Sequence, residues 1–152
     1  MTILTVSIKV TVVMATNTQF SIAVHLMIAL GYGGERQATS GELAGSINTS
    51  PSFVRRILAK LSKAGLVATT TGKSGSCLLA KKPEEISLLE IYKAVDAPRT
   101  FAIHDYPVQN ACRVSCNIEA VMQKVLQRAQ NSFEGSLGET SLAELIADIR
   151  CD

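Results

Sequence analysis

The hydrophobic period of the chain changes at Gly65, and this change narrows the choice of fold more than any other feature. Before it, Val54, Ile57, Leu58 and Leu61 recur at helical spacing and form one stripe, with Arg55, Arg56, Lys60 and Lys63 largely on the other faces. After it, the run from Leu66 to Thr71 is rich in β-branched residues and reads as a strand, Gly72 to Ser76 as a turn, and Cys77 to Ala80 as a second short strand. Ser50 is placed to cap the helix, Pro51 suits its first position because no N–H is needed there, and Gly65 supplies the stop. A shorter helix precedes it. Thr39 to Glu42 has the form of a capping box, Leu43, Ala44 and Ile47 make a buried face, and Asn48 to Ser50 make a turn. Further upstream, Phe20, Ala23, Val24, Met27, Ile28 and Leu30 recur at helical spacing, and Gly31, Gly33 and Gly34 are expected to stop that helix. Helix, short turn, helix and hairpin is the order of a winged helix-turn-helix, so the fold class is mainly α with a small β-hairpin wing.

The remainder is helical with one interruption. Ser87 to Glu90 is another capping box, opening a helix through Ile91, Tyr92 and Val95. The stretch 98–114 has no periodicity and reads as a loop. A long amphipathic stripe follows, of Ile118, Val121, Met122, Val125, Leu126, Ala129 and Phe133. Ser141 then caps a last helix with Leu142, Leu145, Ile146 and Ile149 expected inward. This divides the chain into an N-terminal extension (1–13), a winged-helix domain (14–97), a loop (98–114), and a dimerisation helix with a C-terminal helix (115–152). The extension is apolar and β-branched but interrupted by Lys9; it is too short to span a membrane and no small-residue cleavage site follows it. We expect it to be dispensable, with a natural start at Met14, and the protein to be cytoplasmic with no membrane partner.

Charge is distributed unevenly although the net charge is only +2. Between Leu43 and Pro83 there is no Asp or Glu, yet Arg55, Arg56, Lys60, Lys63, Lys73, Lys81 and Lys82 all fall there. Any one lysine is an ordinary surface charge; an acid-free basic block carried on this order of elements points to double-stranded DNA. A helix fits the major groove and its N-terminal side chains reach base edges, while the helix N-terminus itself favours phosphate. Here that end carries Ser50, Ser52, Arg55 and Arg56. Arg can pair bidentately with guanine and Ser more often fixes a phosphate. Lys73 and Ser74 at the hairpin tip could reach a neighbouring groove, and Lys60 is expected to add to the salt-dependent part of binding.

Read as a set, Thr39–Ser40–Gly41–Glu42–Leu43–Ala44, Ser50–Pro51–Ser52–Phe53–Val54–Arg55–Arg56–Ile57–Leu58, Ala64–Gly65–Leu66–Val67, Gly72–Lys73–Ser74–Gly75 and Ile86–Ser87–Leu88 resemble the Rrf2 family of bacterial regulators, which includes the IscR, NsrR and CymR types. The resemblance runs from Thr18 to Ala97 and implies a winged-helix, sequence-specific transcriptional regulator, expected to be a repressor. It implies further that two chains dimerise through a long C-terminal helix, and that Thr18 and Gln19 contact DNA backbone, with Thr39 also at the interface. The wing departs from the family's Gly-Gly-Tyr, reading Gly75–Ser76–Cys77. Cys77 itself is expected to pack as a small residue on a half-buried strand.

Several members of that family hold an iron–sulfur cluster through three spaced cysteines before the long helix. Only Cys112 and Cys116 stand there in this chain, with His104 and Asp105 upstream. A cluster normally takes four ligands, mostly thiolates, so the chain is expected to be a cluster-free, YwnA-like member with no cofactor and no metal site. A thiol switch is the sharper reading of the pair. Cys116 is expected near the start of the long helix, where the dipole and Arg113 favour a thiolate, with Cys112 as its resolving partner. Two reduced, unreactive loop cysteines are the plainer alternative. The competing function is a redox or iron–sulfur-carrying protein in which the helical block only contacts partners. No enzyme is expected: the chain has no Gly-rich phosphate loop, nucleophile elbow or His/Cys metal motif, and His25 lies within an apolar helix.

Overall fold

The computed structural model describes residues 18–70 and 75–151. The expected extension 1–13 and start at Met14, and Lys73 and Ser74 of the wing tip, lie outside the described residues. The elements follow in the order α1 (Gln19–Tyr32), β1 (Ala38–Thr39), α2 (Ser40–Ile47), α3 (Pro51–Lys63), β2 (Val67–Thr69), β3 (Ser76–Leu79), a 3-10 turn (Pro83–Glu85), α4 (Leu88–Ala94), α5 (Arg113–Glu139) and α6 (Leu142–Arg150). The chain is thus mainly helical with a small β wing.

Local chemistry places most of the boundaries. Thr39 Oγ1 accepts from the Glu42 backbone N–H at 3.2 Å, and Glu42 Oε2 accepts from the Thr39 N–H at 2.8 Å. Ser87 and Glu90 repeat the exchange at 3.2 and 2.9 Å. Each box satisfies two donors that the first turn would otherwise leave orphaned. The capped N–H groups of Thr39 and Ser87, aided by Arg36 and Lys81, hold the carboxyls of Glu42 and Glu90 below the usual range. Asn48 ends α2 at φ 60°, which makes the tight turn into α3. Gly65, at φ +74°, ends α3 in a conformation that costs glycine no Cβ clash.

The wing is a three-stranded antiparallel sheet in the order β1-β3-β2. The β2–β3 hairpin is as expected, with Val67 opposite Leu79 and Thr69 opposite Cys77. β1 is an addition, pairing Ala38 with Cys77 and Thr39 with Ser76.

One core joins the two ends of the chain. Leu26, Met27 and Leu30 of α1 meet Val54, Ile57 and Leu61 of α3, Ile91 of α4, and Leu142 and Ile146 of α6. Gly31, expected as a helix stop, lies inside α1: a Cβ there would collide with Ile146 Cδ1, so its role is the close approach of α6. The helix runs on to Tyr32 and is capped by Gly33. Of the four α6 residues expected inward, Leu142 and Ile146 are buried and Leu145 half-buried, but Ile149 is 49% exposed. The helix is nine residues long and its last turn overhangs the core. The caps of α4 and α6 also pair with each other, through Leu88 N–H to Thr140 O at 3.0 Å and Leu142 N–H to Ile86 O at 2.8 Å.

Between those caps runs α5, 27 residues and so about 40 Å long. It begins at Arg113, two residues before the expected 115, with Cys112 at the N-cap. Its single expected stripe divides. Leu126 lines a hollow with Phe101 and Ile103, and the Phe133 ring meets Tyr92 edge-on at 5.5 Å. Gln130, buried between them, donates to Tyr92 Oη at 3.1 Å and accepts from the Thr100 N–H at 3.3 Å, which ties the start of the loop to the helix. Val121 and Val125 instead stand 55% and 43% exposed, with Ala129 also exposed.

Candidate nucleic-acid interface

The turn at Asn48 presents the N-terminal end of α3 to solvent. Ser50 Oγ accepts from the Phe53 N–H at 3.4 Å and lies 3.2 Å from Ser52 Oγ. Ser50, Ser52, Arg55 and Arg56 are all exposed, because Val54, Ile57, Leu58 and Leu61 take the buried face. The Arg56 guanidinium lies over the Phe53 ring, 5.3 Å from its centre, which orders the side chain by cation–π attraction. Arg55 Nε donates to Ser40 Oγ at 3.1 Å. Among the described residues no acid pairs with either arginine, so both keep their charge for an outside anion.

Ser52, Arg55, Ala59 and Ser62 are spaced three, four and three apart, on one face of α3. Arg55, Ala59 and Ser62 line a groove of about 800 Å³ between α3 and the wing, with Thr39, Ser40, Thr70 and Ser76 among the residues opposite. Arg55 is the one charged residue among the described residues that line it. A groove walled by hydroxyls and small side chains, with one unpaired guanidinium, suits a polyanion whose bases carry acceptors.

The remaining expected DNA contacts fare differently. Lys60 is turned inward: its Nζ donates to Gln19 Oε1 at 3.2 Å and to Val95 O at 3.1 Å, and pairs with Asp96 at 3.6 Å. It clamps α1 and the end of α4 onto α3, and its charge is offset within the chain. Thr39 lies at the groove, but its hydroxyl is engaged by Glu42 in the capping box. Thr18 is exposed at the N-cap of α1, with no side-chain cap bond, while Gln19 holds Lys60. In the wing, Ser76 is hydrogen-bonded to Thr70 and Gln37, which braces β3 between its neighbours. Cys77 is buried, as expected; burial pushes its thiol up, and Sγ lies 3.2 Å from Ala38 O.

Cys112 and Cys116 lie one turn apart at the start of α5, both exposed. Cys112 Sγ accepts from the Ser115 N–H at 3.5 Å, so this cysteine caps the helix, and Cys116 Sγ points back toward Gln109 O and Asn110 O at 3.7 Å each. His104 and Tyr106 stack nearby in sequence, with ring centres 5.6 Å apart. Among the described residues no three His, Cys, Asp or Glu side chains converge as metal ligands. The other two thiols are remote in the fold, Cys77 in the wing and Cys151 after α6. Two thiols at one helix start do not make the donor set of a four-ligand cluster. Nor is any helix among the described residues long and apolar enough to cross a membrane.

Comparison with known proteins agrees with this geometry. The family model described as Rrf2, iron-dependent transcriptional regulator, matches residues 16–148. The chain is 30% identical over 131 residues to YwnA of Bacillus subtilis, designated an HTH-type transcriptional regulator, covering 86% of this chain and 96% of YwnA. The crystal structure of a transcriptional regulator from Lactobacillus plantarum superimposes with a TM-score of 0.76 at 25% identity, over 89% of this chain and 91% of that one. CymR, the global cysteine regulator of Bacillus subtilis, shares the fold with a TM-score of 0.62 at 20% identity, over 87% and 95% of the two chains. The winged helix, the exposed arginines of α3 and a family match over most of the chain lead to one statement: this protein belongs to the Rrf2 family and is a DNA-binding transcriptional regulator.

Proposed function

We propose that the protein is a homodimeric repressor that reads its operator with the N-terminal end of α3 and acts by binding alone, with no catalytic reaction. It works in the cytoplasm without a cluster of its own. The observation that carries this reading is the pair of exposed arginines, Arg55 and Arg56, at the start of a helix whose other face is buried. Ser50 and Ser52 position phosphate, Arg55 and Arg56 reach base edges, and Thr18 with Lys73 and Ser74 adds backbone contacts. Genomic footprinting supplies the operator. On it, Arg55→Ala and Arg56→Ala are each expected to cost about 1–3 kcal/mol and to relax specificity, on binding that weakens steeply with salt. Unchanged operator affinity in both variants would refute the assignment of α3.

A thiol signal is supported by the placement of Cys112 and Cys116, both exposed, at the start of α5. In this reading a peroxide oxidises Cys116 to a sulfenic acid, and Cys112 displaces water from it to close a disulfide. Residues four apart on a helix hold their Cβ atoms about 5–6 Å apart, whereas a disulfide needs about 3.8 Å. Closing the bond therefore rearranges the first turn of α5. Mass spectrometry after mild peroxide is expected to show a Cys112–Cys116 disulfide, and unmodified thiols would dispose of the switch.

A further inference from the structure

We propose that Ser40 sets the operator specificity of this protein without touching DNA, by aiming the Arg55 side chain. The inference rests on the assignment of Arg55 to base recognition made above. Ser40 is the first residue of α2, and Arg55 lies one turn into α3, so their contact bridges the two helices of the helix-turn-helix. The contact is specific in its atoms: Nε of Arg55 donates to Ser40 Oγ at 3.1 Å.

A guanidinium has two edges that can grip guanine O6 and N7, one made by Nε with a terminal nitrogen, the other by the two terminal nitrogens. Ser40 occupies Nε. Among the described residues no acid pairs with the terminal nitrogens, and the groove around them is lined by small or hydroxyl side chains such as Gly41, Ala59 and Ser62. The end-on pair therefore remains for the ligand. An untethered arginine can use either edge or swing to a phosphate, which carries no sequence information. Tethering Arg55 removes these alternatives before DNA arrives and reduces the ordering cost of the bidentate contact.

The hydroxyl is free for this task because Ser40 does not cap its helix. The cap is Thr39, in its reciprocal exchange with Glu42. Removing the Ser40 hydroxyl thus leaves the start of α2 intact.

The test is a binding matrix, in which the full chain is titrated against the footprinted operator and against every single base-pair substitution of it, across a salt series. Wild type, Ser40→Ala, Ser40→Thr, Arg55→Ala and the Ser40→Ala/Arg55→Ala double variant are compared. Ser40→Ala is expected to reduce discrimination severalfold at the same base pair of each half-site where Arg55→Ala abolishes it. Ser40→Thr, which keeps the oxygen, is expected to restore the preference, and Ser40→Ala should change nothing further once Arg55 is gone. A uniform loss across all sequences with a shallower salt slope would show that Ser40 binds phosphate itself and would overturn the proposal. So would an unaltered matrix for Ser40→Ala beside a flattened one for Arg55→Ala, a result that leaves the reading of α3 standing. A matrix that Arg55→Ala does not flatten anywhere removes the recognition role of Arg55 and the Ser40 proposal with it.

Discussion

In the homodimer proposed above, replacing Val121 and Val125 together by aspartate is expected to leave each chain folded, separate the two protomers, and weaken operator binding at least about 100-fold. Val114, Ile118, Val121 and Val125 are spaced four, three and four apart, the rhythm of a helix–helix seam. Val114 is 69% exposed, and Val121 and Val125 remain 55% and 43% exposed on a helix that is otherwise anchored at Gln130 and Phe133. An apolar seam on a helix of about 40 Å is well suited to a copy of itself across a two-fold axis. Aspartates at these positions would face one another across that axis and carry charge into what should be a dry seam. Because the valines are exposed within one chain, the substitutions remove no intrachain core contact. The DNA consequence follows from geometry: two linked recognition helices on adjacent half-sites gain about 10²–10⁴ in affinity over one. Light scattering reports the mass, circular dichroism the fold, and footprinting whether one half-site or two are protected. A double variant that remains dimeric with unchanged operator affinity would rule out this face as the interface.

Features set by nearby residues were legible in the sequence, and features set by distant ones were not. The capping boxes at Thr39 and Ser87 involve residues three apart, so their meaning is local, and the structure forms both. The Val54–Leu61 stripe is likewise decided by period alone and supplies the buried face of α3. β1 has two residues, too few to show any alternation, and exists because β3 offers it partners about forty residues later. Gly31 reads locally as a stop, but the approach of Ile146 from the far end of the chain gives it a different purpose. Lys60 shows the same limit for the interface itself. Its block contains no acid in sequence, yet Asp96 and the Val95 carbonyl return to it in space, and Lys81 is met by Glu90 in the same way. Among the described residues no acid pairs with Arg55 or Arg56, so their charge is not offset there. The Ser40–Arg55 contact could not be read from period or composition either, since it depends on how tightly the Asn48 turn folds α2 against α3.

Period marks α5 as an amphipathic helix but does not show which of its apolar residues the chain itself covers. Leu126 and Phe133 serve the chain's own fold while Val121 and Val125 face outward, and what separates them is the position of Tyr92 and of the loop before the helix. The same anchoring makes α6 decisive, and Leu142→Ala is expected to be the most damaging single truncation in it, at about 2–5 kcal/mol. Leu142 is fully buried, packs in the α1–α3–α4 core, and its N–H closes the bridge to Ile86 O. Against a total stability of about 5–15 kcal/mol for a domain of this kind, that loss is large. Ile149→Ala, in the same helix but 49% exposed, is expected to cost well under half as much. Urea unfolding at one fixed protein concentration checks both, since dimerisation would otherwise shift the midpoint; the Leu142→Ala midpoint should fall sharply with little change in slope. Equal midpoints for the two variants would mean that α6 does not belong to the core. Leu142 secures the C-terminal end of α5 to the winged domain through the paired caps of α4 and α6, so loosening it should broaden the angle between the recognition helix and the two-fold axis of the proposed dimer. Below its unfolding midpoint, Leu142→Ala should therefore tolerate altered half-site spacing better than wild type while binding the native operator more weakly.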